Sequence, residues 1–180
     1  MSIVVNEQLH LSEFCAADKP ALIAHLNERA IYDRTLRIPY PYTEASADEW
    51  LKIAAQTTRQ QGRPVCWAVR QADEFLIGGV GFEGFQAGKS HRAEIGYWLA
   101  KPYWGRGIMT AVVRAVCAHG FQELDLRKIT AHVFAGNDAS ARVLTKCGFV
   151  QEGFLREHYD KADRLIDALL FGLLRNTASP

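Results

Sequence analysis

The chain has 180 residues, enough for one domain, and 48% of them are hydrophobic, so it can build a sizeable core. Its net charge of +1 argues against a general attraction to nucleic acid or membrane surfaces. No basic start followed by an apolar run opens the chain, and no apolar stretch approaches the ~20 residues that span a bilayer. We therefore expect one domain over residues 1–180 of a soluble, cytoplasmic protein.

The cysteines form no Cys-x-x-Cys pair, and no histidine spacing completes a zinc site. This pattern is typical of reduced thiols in a cytosolic protein, so we expect no disulfide framework and no bound metal. The four positions are Cys15, Cys66, Cys117 and Cys147.

The first half of the chain combines strands and helices. A strand is predicted near residues 8–14, and an apolar stripe of helical period predicts a helix over 19–29. The prolines of residues 38–42 then interrupt helical structure, because each one disfavours the α conformation in the residue before it. A capping box at residues 46–49 predicts the start of a second helix, which ends near Gly62.

The second half continues with strands over 65–70, 75–82, 91–100 and 128–134, a helix over 107–124 and a short helix over 137–147. Two final strands are predicted over 149–156 and 165–174. The last is apolar on both faces, which favours a central, covered position in the sheet. This mixture predicts an α/β or α+β fold with one sheet that carries helices on its faces.

A glycine turn opens the helix predicted at residue 107. Gly105 and Gly107 allow the backbone unusual dihedral angles and a close approach to a ligand. The first N–H groups of a helix lack internal partners and carry the positive end of its dipole, so they favour a diphosphate, and Arg106 adds a charge. The segment is neither a Walker loop nor a dinucleotide fingerprint, because Gly-Lys-Ser/Thr is missing and Thr110 replaces the third glycine. Alone, the pattern also fits an ordinary tight turn.

A second motif follows the next predicted strand. Asn137 suits a helix N-cap, and Gly148 suits the position just after a helix end. The strand, Gly-x-Gly turn and helix, followed by a strand and Asn-x-x-Ser-x-x-Val-Leu-x-Lys-x-Gly-Phe, resemble the GNAT N-acetyltransferases. More narrowly, they resemble the branch that acetylates the N-terminal alanine or serine of ribosomal proteins. Residues 38–43, 93–99 and 152–156 ahead of Asp167 also match that branch.

The resemblance implies a GNAT fold, with a mixed, mostly antiparallel sheet of about seven strands flanked by about four helices. It also implies acetyl-CoA as co-substrate. The strands that end near residues 100 and 134 would splay apart, with the pantetheine arm in the gap between them and the diphosphate on the glycine turn. The implied cofactor-binding residues are Trp98, Leu99, Ala100, Gly105, Arg106, Gly107, Ile108, Met109, Thr110, Asn137, Arg142 and Lys146.

Several of these roles stay open. Arg142 and Lys146 either reach the nucleotide phosphate or are solvated surface charges. Trp104 stands where the GNAT turn begins with Gln or Arg, and Met109 replaces a small residue. Because main-chain donors make the phosphate contact, neither change should abolish it, but both weaken any side-chain role in the turn.

Acyl transfer to an amine requires a neutral nucleophile, a donor for the oxyanion and a proton for the departing thiolate. Many GNAT enzymes supply that proton from a tyrosine on the short helix, at the position of Leu144 here. Ser140 lies one turn earlier on the same face, and a serine at this motif position has that task in the ribosomal-protein branch. We therefore predict Ser140 as a catalytic residue; its alternative role is to support the first turn of the helix.

For the base, we predict Glu94, which shares a strand face with Gly96 and Trp98 near the expected gap. Glu94 as a structural hydrogen-bonding residue fits equally well. His158 and Tyr159 lie where the branch supplies a carboxylate, so their chemistry departs from the family pattern.

Two alternatives to Glu94 as the base stay open. His132 lies on an alternating strand and is more typical of a packed histidine than of a catalyst. A dedicated base could also be absent, with water relaying the proton.

The acceptor pocket is predicted at Tyr40, Tyr42 and Glu83, although the two tyrosines could simply pack within the Pro-rich loop. The leading function is acetyl transfer to a primary amine, with a protein N-terminal Ala or Ser as the first candidate. Polyamines, amino acids and amine antibiotics are the small-molecule alternatives. A non-catalytic CoA-binding sensor and an unrelated nucleotide-binding domain are the other classes. The chain is expected to act as a monomer or homodimer.

Overall fold

The computed structural model describes residues 2–175, so both ends of the domain predicted over residues 1–180 lie outside the described residues. One eight-stranded sheet runs through the molecule in the order β1-β2-β3-β4-β5-β6-β8-β7. Neighbouring strands are antiparallel except β5 and β6, which are parallel. The strands are β1 Ile3–Asn6, β2 Leu9–Ser12, β3 Cys66–Gln71, β4 Leu76–Glu83, β5 Arg92–Leu99, β6 Lys128–Phe134, β7 Val150–Asp160 and β8 Leu165–Leu174.

Helices cover both faces of this sheet. They are α1 Lys19–Leu26, α2 Arg29–Tyr32, α3 Glu44–Gln61, α4 Ile108–Gln122 and α5 Asp138–Lys146. One buried cluster includes side chains of α4 and α5, and a second includes side chains of α1, α2 and α3. None of the helices in residues 2–175 combines the length and apolar character that crossing a bilayer requires. The mixed, mostly antiparallel sheet with flanking helices confirms the predicted fold class.

The eighth strand, β1, is the one that the sequence pattern did not predict. It is a four-residue edge strand that pairs with β2. The predicted central position of the last strand is only partly correct. β8 lies between β6 and β7, yet its end residues Leu165 and Leu174 are 60% and 63% exposed.

Two helix boundaries in the first half also differ from the prediction. The predicted helix over 19–29 ends earlier, at Leu26, and a further helix, α2, begins at Arg29; between them the Asn27 side chain donates to Tyr42 O, at 2.6 Å, and accepts from Tyr42 N, at 2.9 Å. The capping box of α3 begins at Thr43, whose hydroxyl accepts from Ser46 N at 3.2 Å. Ser46 is therefore the third helical residue and not the cap. The predicted end at Gly62, with φ +69°, is correct.

Candidate functional site

A gap opens between the two parallel strands at the middle of the sheet. β5 and β6 pair at Arg92–Lys128, Ala93–Ile129 and Glu94–Thr130. From there β5 continues along β4 to Leu99, and β6 continues along β8 to Phe134. The two strands therefore diverge, as the resemblance implied, and the gap can admit an elongated ligand beside the main chain of β5.

The main chain at the end of β5 alternates between the neighbouring strand and this gap. Ala100 N donates to Ile77 O at 2.8 Å, next to the end of β4. Because main-chain groups alternate in an antiparallel pair, Trp98 also points its main chain toward β4, and Leu99 points toward the gap. Of the three residues predicted to pair with pantetheine, Leu99 alone is therefore oriented for it. The prediction for the Ala100 amide is corrected, since that donor is already used.

The glycine turn lies directly after β5. Gly105 and Gly107 have φ angles of +75° and +74°, a region that side-chain-bearing residues rarely adopt. Apart from its chain neighbours, no described residue lies within 4 Å of a Cβ placed at either glycine, so the dihedral angle and not crowding requires glycine there. The first main-chain bond of α4 runs from Ala111 N to Gly107 O, at 3.2 Å.

The donors of the first turn of α4 lie next to this cavity. The three residues before Ala111 have N–H groups with no acceptor inside the helix, and all of them line the same cavity as the gap. These residues are Ile108, Met109 and Thr110. Arg106, whose guanidinium lies 5.6 Å from the Tyr103 ring centre, lines the cavity beside them.

Trp104 accounts for the departure of this turn from the family pattern. Its indole N–H donates to Leu99 O at 2.7 Å. The Arg34 guanidinium lies 5.5 Å from the Trp104 ring centre, over its face. The indole therefore ties the turn back to the end of β5, a structural role that the sequence pattern did not reveal.

Helix α5 forms the opposite side of the gap. Asn137 is its N-cap, with Oδ1 accepting from Ser140 N at 3.4 Å, and Gly148 follows its end with φ +88°. Arg142 and Lys146 are exposed and line the cavity. Leu144 is completely buried in the core cluster, so the position of the family's tyrosine serves packing here.

The Ser140 hydroxyl meets a tyrosine across the gap. Tyr97 OH lies 2.8 Å from Ser140 Oγ and 3.4 Å from Ser140 O. Burial raises the pKa of the Tyr97 phenol well above its usual range, so the phenol stays protonated. The sequence pattern did not reveal Tyr97. It lies at an apolar position of a strand, where an aromatic residue is expected to be part of the core, and Ser140 is 43 positions away.

Two carboxylates lie opposite each other on the face covered by α1–α3. Glu83 on β4 and Glu94 on β5 are directly opposite each other in the antiparallel pair. Glu83 Oε2 lies 2.8 Å from an Arg37 Nη atom, and Glu94 Oε1 lies 2.9 Å from His132 Nδ1. Burial raises the pKa of Glu83, while Arg37 opposes that shift and Glu94 adds to it. Both predicted carboxylates therefore line the cavity next to basic groups.

His132 faces Glu94 from across the gap. Its Nδ1 is buried and makes no well-aligned hydrogen bond within residues 2–175, so the 2.9 Å contact is best described as an ion pair when His132 is protonated. The His158 ring stacks on it at 5.2 Å, and the Tyr159 ring lies edge-on at 6.1 Å. His132, the residue left open as an alternative base, therefore forms one cluster with His158 and Tyr159 next to Glu94.

A row of small residues crosses three strands on the same face. Cys66 of β3 pairs with Gly81 of β4, which pairs with Gly96 of β5. Residues paired across strands project from one face, so the row forms the floor of a groove, with the Glu83–Glu94 pair two residues further along. The groove belongs to a cavity of about 1170 Å³ that the gap and the glycine turn also line.

Aromatic side chains border this groove, and the two tyrosines predicted there differ in position. Tyr42 lines the cavity and is only 4% exposed. Tyr40 is 44% exposed, and its ring packs 5.6 Å from that of Tyr32, outside the cavity lining. The prediction that Tyr40 lines the acceptor pocket is therefore corrected. The other predicted site residues, except Ala100, all line one cavity.

Comparison with known proteins identifies the family. The family model described as "Acetyltransferase (GNAT) domain" matches residues 8–150. The chain is 29% identical to the uncharacterized N-acetyltransferase p20 of Bacillus licheniformis, over 97% of both chains. It is 31% identical to the ribosomal-protein-serine acetyltransferase of Escherichia coli, over 61% of this chain and 65% of the relative. The match to N-acetyltransferase YoaA of Bacillus subtilis, at 36% identity, likewise spans about two thirds of that relative, 66%.

A solved structure with the same fold is RimL, a ribosomal L7/L12 α-N-protein acetyltransferase in complex with coenzyme A. Its TM-score is 0.85 at 20% identity, over 97% of this chain and 98% of that chain. A spermidine N-acetyltransferase from Vibrio cholerae, in complex with CoA and spermine, has a TM-score of 0.78 at 25% identity, over 94% and 96%. From the match over residues 8–150 and the geometry of the gap, this chain belongs to the GNAT acetyltransferase family.

Proposed function

We propose that this GNAT acetyltransferase binds acetyl-CoA between β5 and β6 and transfers the acetyl group to a primary amine. The observation that carries the proposal is the gap between the two strands, which shares one cavity with the main-chain N–H groups that open α4. Helix N-terminal amides favour phosphate, and the gap suits a thin arm such as pantetheine. Family membership and the CoA complexes of two proteins with this fold support the cofactor.

In this proposal the diphosphate binds the N–H groups of Ile108, Met109 and Thr110, with Arg106 beside them. The side chain of Asn137 contacts pantetheine, and the N–H of Leu99 faces the thioester end of the same ligand, since the Leu99 carbonyl already accepts from Trp104 Nε1. Lysine and arginine side chains on the exposed face of α5 reach the nucleotide phosphate; these are Arg142 and Lys146. Because the main binding groups belong to the backbone, Trp104 and Met109 in the turn are compatible with this role.

The chemistry follows from the groups on the two sides of the gap. A neutral amine nitrogen attacks the thioester carbonyl carbon and loses a proton to Glu94. The Leu99 N–H donates to the oxyanion, a contact worth about 3 kcal/mol in such sites. The C–S bond then breaks, its electron pair stays on sulfur, and sulfur takes the hydroxyl proton of Ser140. Proton exchange with water after product release restores both residues.

The acceptor is proposed to lie in the groove over Gly81 and Gly96, with Glu83 near its amine. The Arg37 contact at 2.8 Å already balances much of the Glu83 charge, which does not favour a polycation. An α-amino group has a pKa of about 7.7–8.0 against ~10.4 for lysine, so it is neutral far more often at pH 7. A protein N-terminus that begins with Ala or Ser is therefore the preferred acceptor, and a small-molecule amine is the alternative.

A cytoplasmic location is part of this proposal, because such a substrate would be met there. All the proposed groups come from one chain, so the function can be performed by a monomer or a homodimer.

An acceptor screen with thiol detection of released CoA tests the proposal. Peptides that begin with Ala or Ser should release CoA faster than spermidine, free amino acids or amine antibiotics. A Ser140→Ala variant should lose at least tenfold in kcat while its affinity for acetyl-CoA stays unchanged. A protein that binds acetyl-CoA but releases none with any amine would be a sensor, and one that does not bind it would contradict the whole proposal.

A further inference from the structure

The hydroxyl of Ser140 has a neighbour to which the proposed mechanism assigns no role. Tyr97 reaches it from β5, with its OH 2.8 Å from Ser140 Oγ. The Tyr97 side chain packs against the core cluster formed by the sheet, α4 and α5. Because this packing fixes the Tyr97 ring, the Tyr97 OH keeps a constant position and so fixes the position of the Ser140 hydroxyl that it contacts.

We infer that Tyr97 is a positioning residue, whose phenol donates to Ser140 Oγ and leaves the Ser140 proton directed at the thioester sulfur. This inference rests on the proposed role of Ser140 as the proton donor. It adds no covalent step, because sulfur still receives the Ser140 proton and Tyr97 touches no reacting atom.

The direction of the hydrogen bond follows from distance and acidity. A hydroxyl has one proton and two lone pairs, so the contact allows either oxygen to donate. The separation of 2.8 Å to Ser140 Oγ is optimal for O–H···O, whereas 3.4 Å to Ser140 O is beyond the usual range. A phenol is also more acidic than an aliphatic alcohol and is the better donor. With Tyr97 as donor, the proton of Ser140 has to point elsewhere.

The surroundings keep Tyr97 in the donating state. Burial raises the pKa of its phenol, so the proton is retained at neutral pH. Ser140 and Tyr97 both line the cavity that contains the gap. With Ser140 Oγ accepting from Tyr97, the Ser140 proton is left to point into that cavity, where the sulfur of acetyl-CoA would lie.

The test is a double-mutant cycle of Tyr97→Phe and Ser140→Ala, with Tyr32→Phe as the matched control. One hydrogen bond of about 1 kcal/mol or slightly more corresponds to a loss of about tenfold in kcat for Tyr97→Phe. KM and Kd for acetyl-CoA should change less than twofold. The double variant should be no slower than Ser140→Ala, because Tyr97 acts only through Ser140. Tyr32→Phe should keep wild-type kcat.

The possible outcomes separate this inference from the proposed function. Full kcat in Tyr97→Phe beside a slow Ser140→Ala would overturn the inference alone, as would additive losses in the double variant. Full kcat in Ser140→Ala would remove Ser140 from the mechanism, and this inference with it.

A second variant covers the case in which Tyr97→Phe does not fold. Replacing Tyr97 with 4-fluorophenylalanine nearly keeps the size of the ring and its para substituent but removes the donated proton. kcat should then fall by about tenfold, and an unchanged kcat would overturn the inference.

Discussion

The cofactor side and the acceptor side of the cavity use different kinds of chemical group. On the cofactor side, the proposed diphosphate contacts are mainly main-chain amides placed by two glycines with positive φ and by the start of α4. On the acceptor side, they are charged side chains that come from separate strands and loops, such as Glu83 with Arg37 and Glu94 with His132. Backbone geometry tolerates most substitutions that keep the turn, whereas a side-chain cluster changes with each residue. We therefore expect that substitutions change the cofactor less easily than the acceptor, and that acceptor specificity depends on few side chains.

The largest expected effect tests the acceptor side, through Glu94→Gln. If Glu94 takes the amine proton, kcat should fall by about 100-fold or more, a usual cost of removing a general base. Steady-state kinetics with the best peptide acceptor measures it. Glu83→Gln is the matched control and should mainly raise the acceptor KM. Equal kcat in Glu94→Gln and wild type would exclude Glu94 as the base and leave His132 or water to take the proton.

A smaller effect is expected on the cofactor side, from Gly107→Val. The positive φ of +74° would cost a valine about 1–3 kcal/mol, and relaxing it would misdirect the amides that open α4. Acetyl-CoA should bind about tenfold or more weakly by calorimetry. Gly62→Val, at φ +69° after α3, carries a similar strain far from the turn. It should lower stability but not affinity, and equal affinity losses in both variants would contradict the assignment.

The groove on the acceptor side is tested by Gly96→Val. A Cβ at Gly96 would meet Glu83 Oε1 at 3.6 Å, which is an ordinary contact, so the strand should accept valine. The side chain would fill the floor of the groove and raise the acceptor KM by about tenfold, which corresponds to about 1.4 kcal/mol. KM for acetyl-CoA should stay the same. Gly153→Val on β7, where a Cβ lies 3.8 Å from Leu170 Cβ, is the control outside the cavity. An unchanged acceptor KM would place the acceptor elsewhere.

The smallest expected effect concerns the pH dependence of stability at Glu83. Burial raises its pKa in the folded chain above the unfolded value of about 4.3. Between the unfolded pKa and the higher folded pKa, the folded state holds a proton on Glu83 that the unfolded state has released. The free energy of unfolding therefore falls as pH rises through the folded pKa. Glu83→Gln should reduce this decline in unfolding midpoints measured just above pH ~4.3. Glu7→Gln, at an exposed residue, makes the same charge change and is the control. If the unfolding midpoint changed with pH by the same amount in both variants, the prediction would be contradicted.

Local patterns were sufficient wherever one segment carried its own boundary signals. The strands over 128–134 and 165–174 have the predicted bounds, because β-branched and apolar runs end at turn residues. Helix α5 lies between its N-cap Asn137 and Gly148, as the cap residues indicated. The glycine turn was likewise predictable, since the need for positive φ is a property of the residue itself.

Contacts between distant segments decided the rest. At the break between α1 and α2, Asn27 and Glu28 cap the adjoining helix ends locally, but only the folded chain adds the contacts of Asn27 with the main chain of Tyr42. Leu99 and Ala100 are neighbours in sequence, yet only the pairing of β5 with β4 determines which amide faces the gap. Tyr40 and Tyr42 differ in the same way, since their positions depend on what packs around the loop.

The sequence by itself determined most of the sheet and helix elements, the glycine turn and the resemblance to the family, because periodicity, caps and motif spacing are local properties. The tertiary structure alone decided which chemical groups meet: Tyr97 with Ser140 across the gap, and Glu94 with His132 beside it. These pairs join different elements of the chain, and the divergence of β5 from β6 sets their distances. Interactions of that kind depend on how strands are ordered and paired, which no single segment encodes.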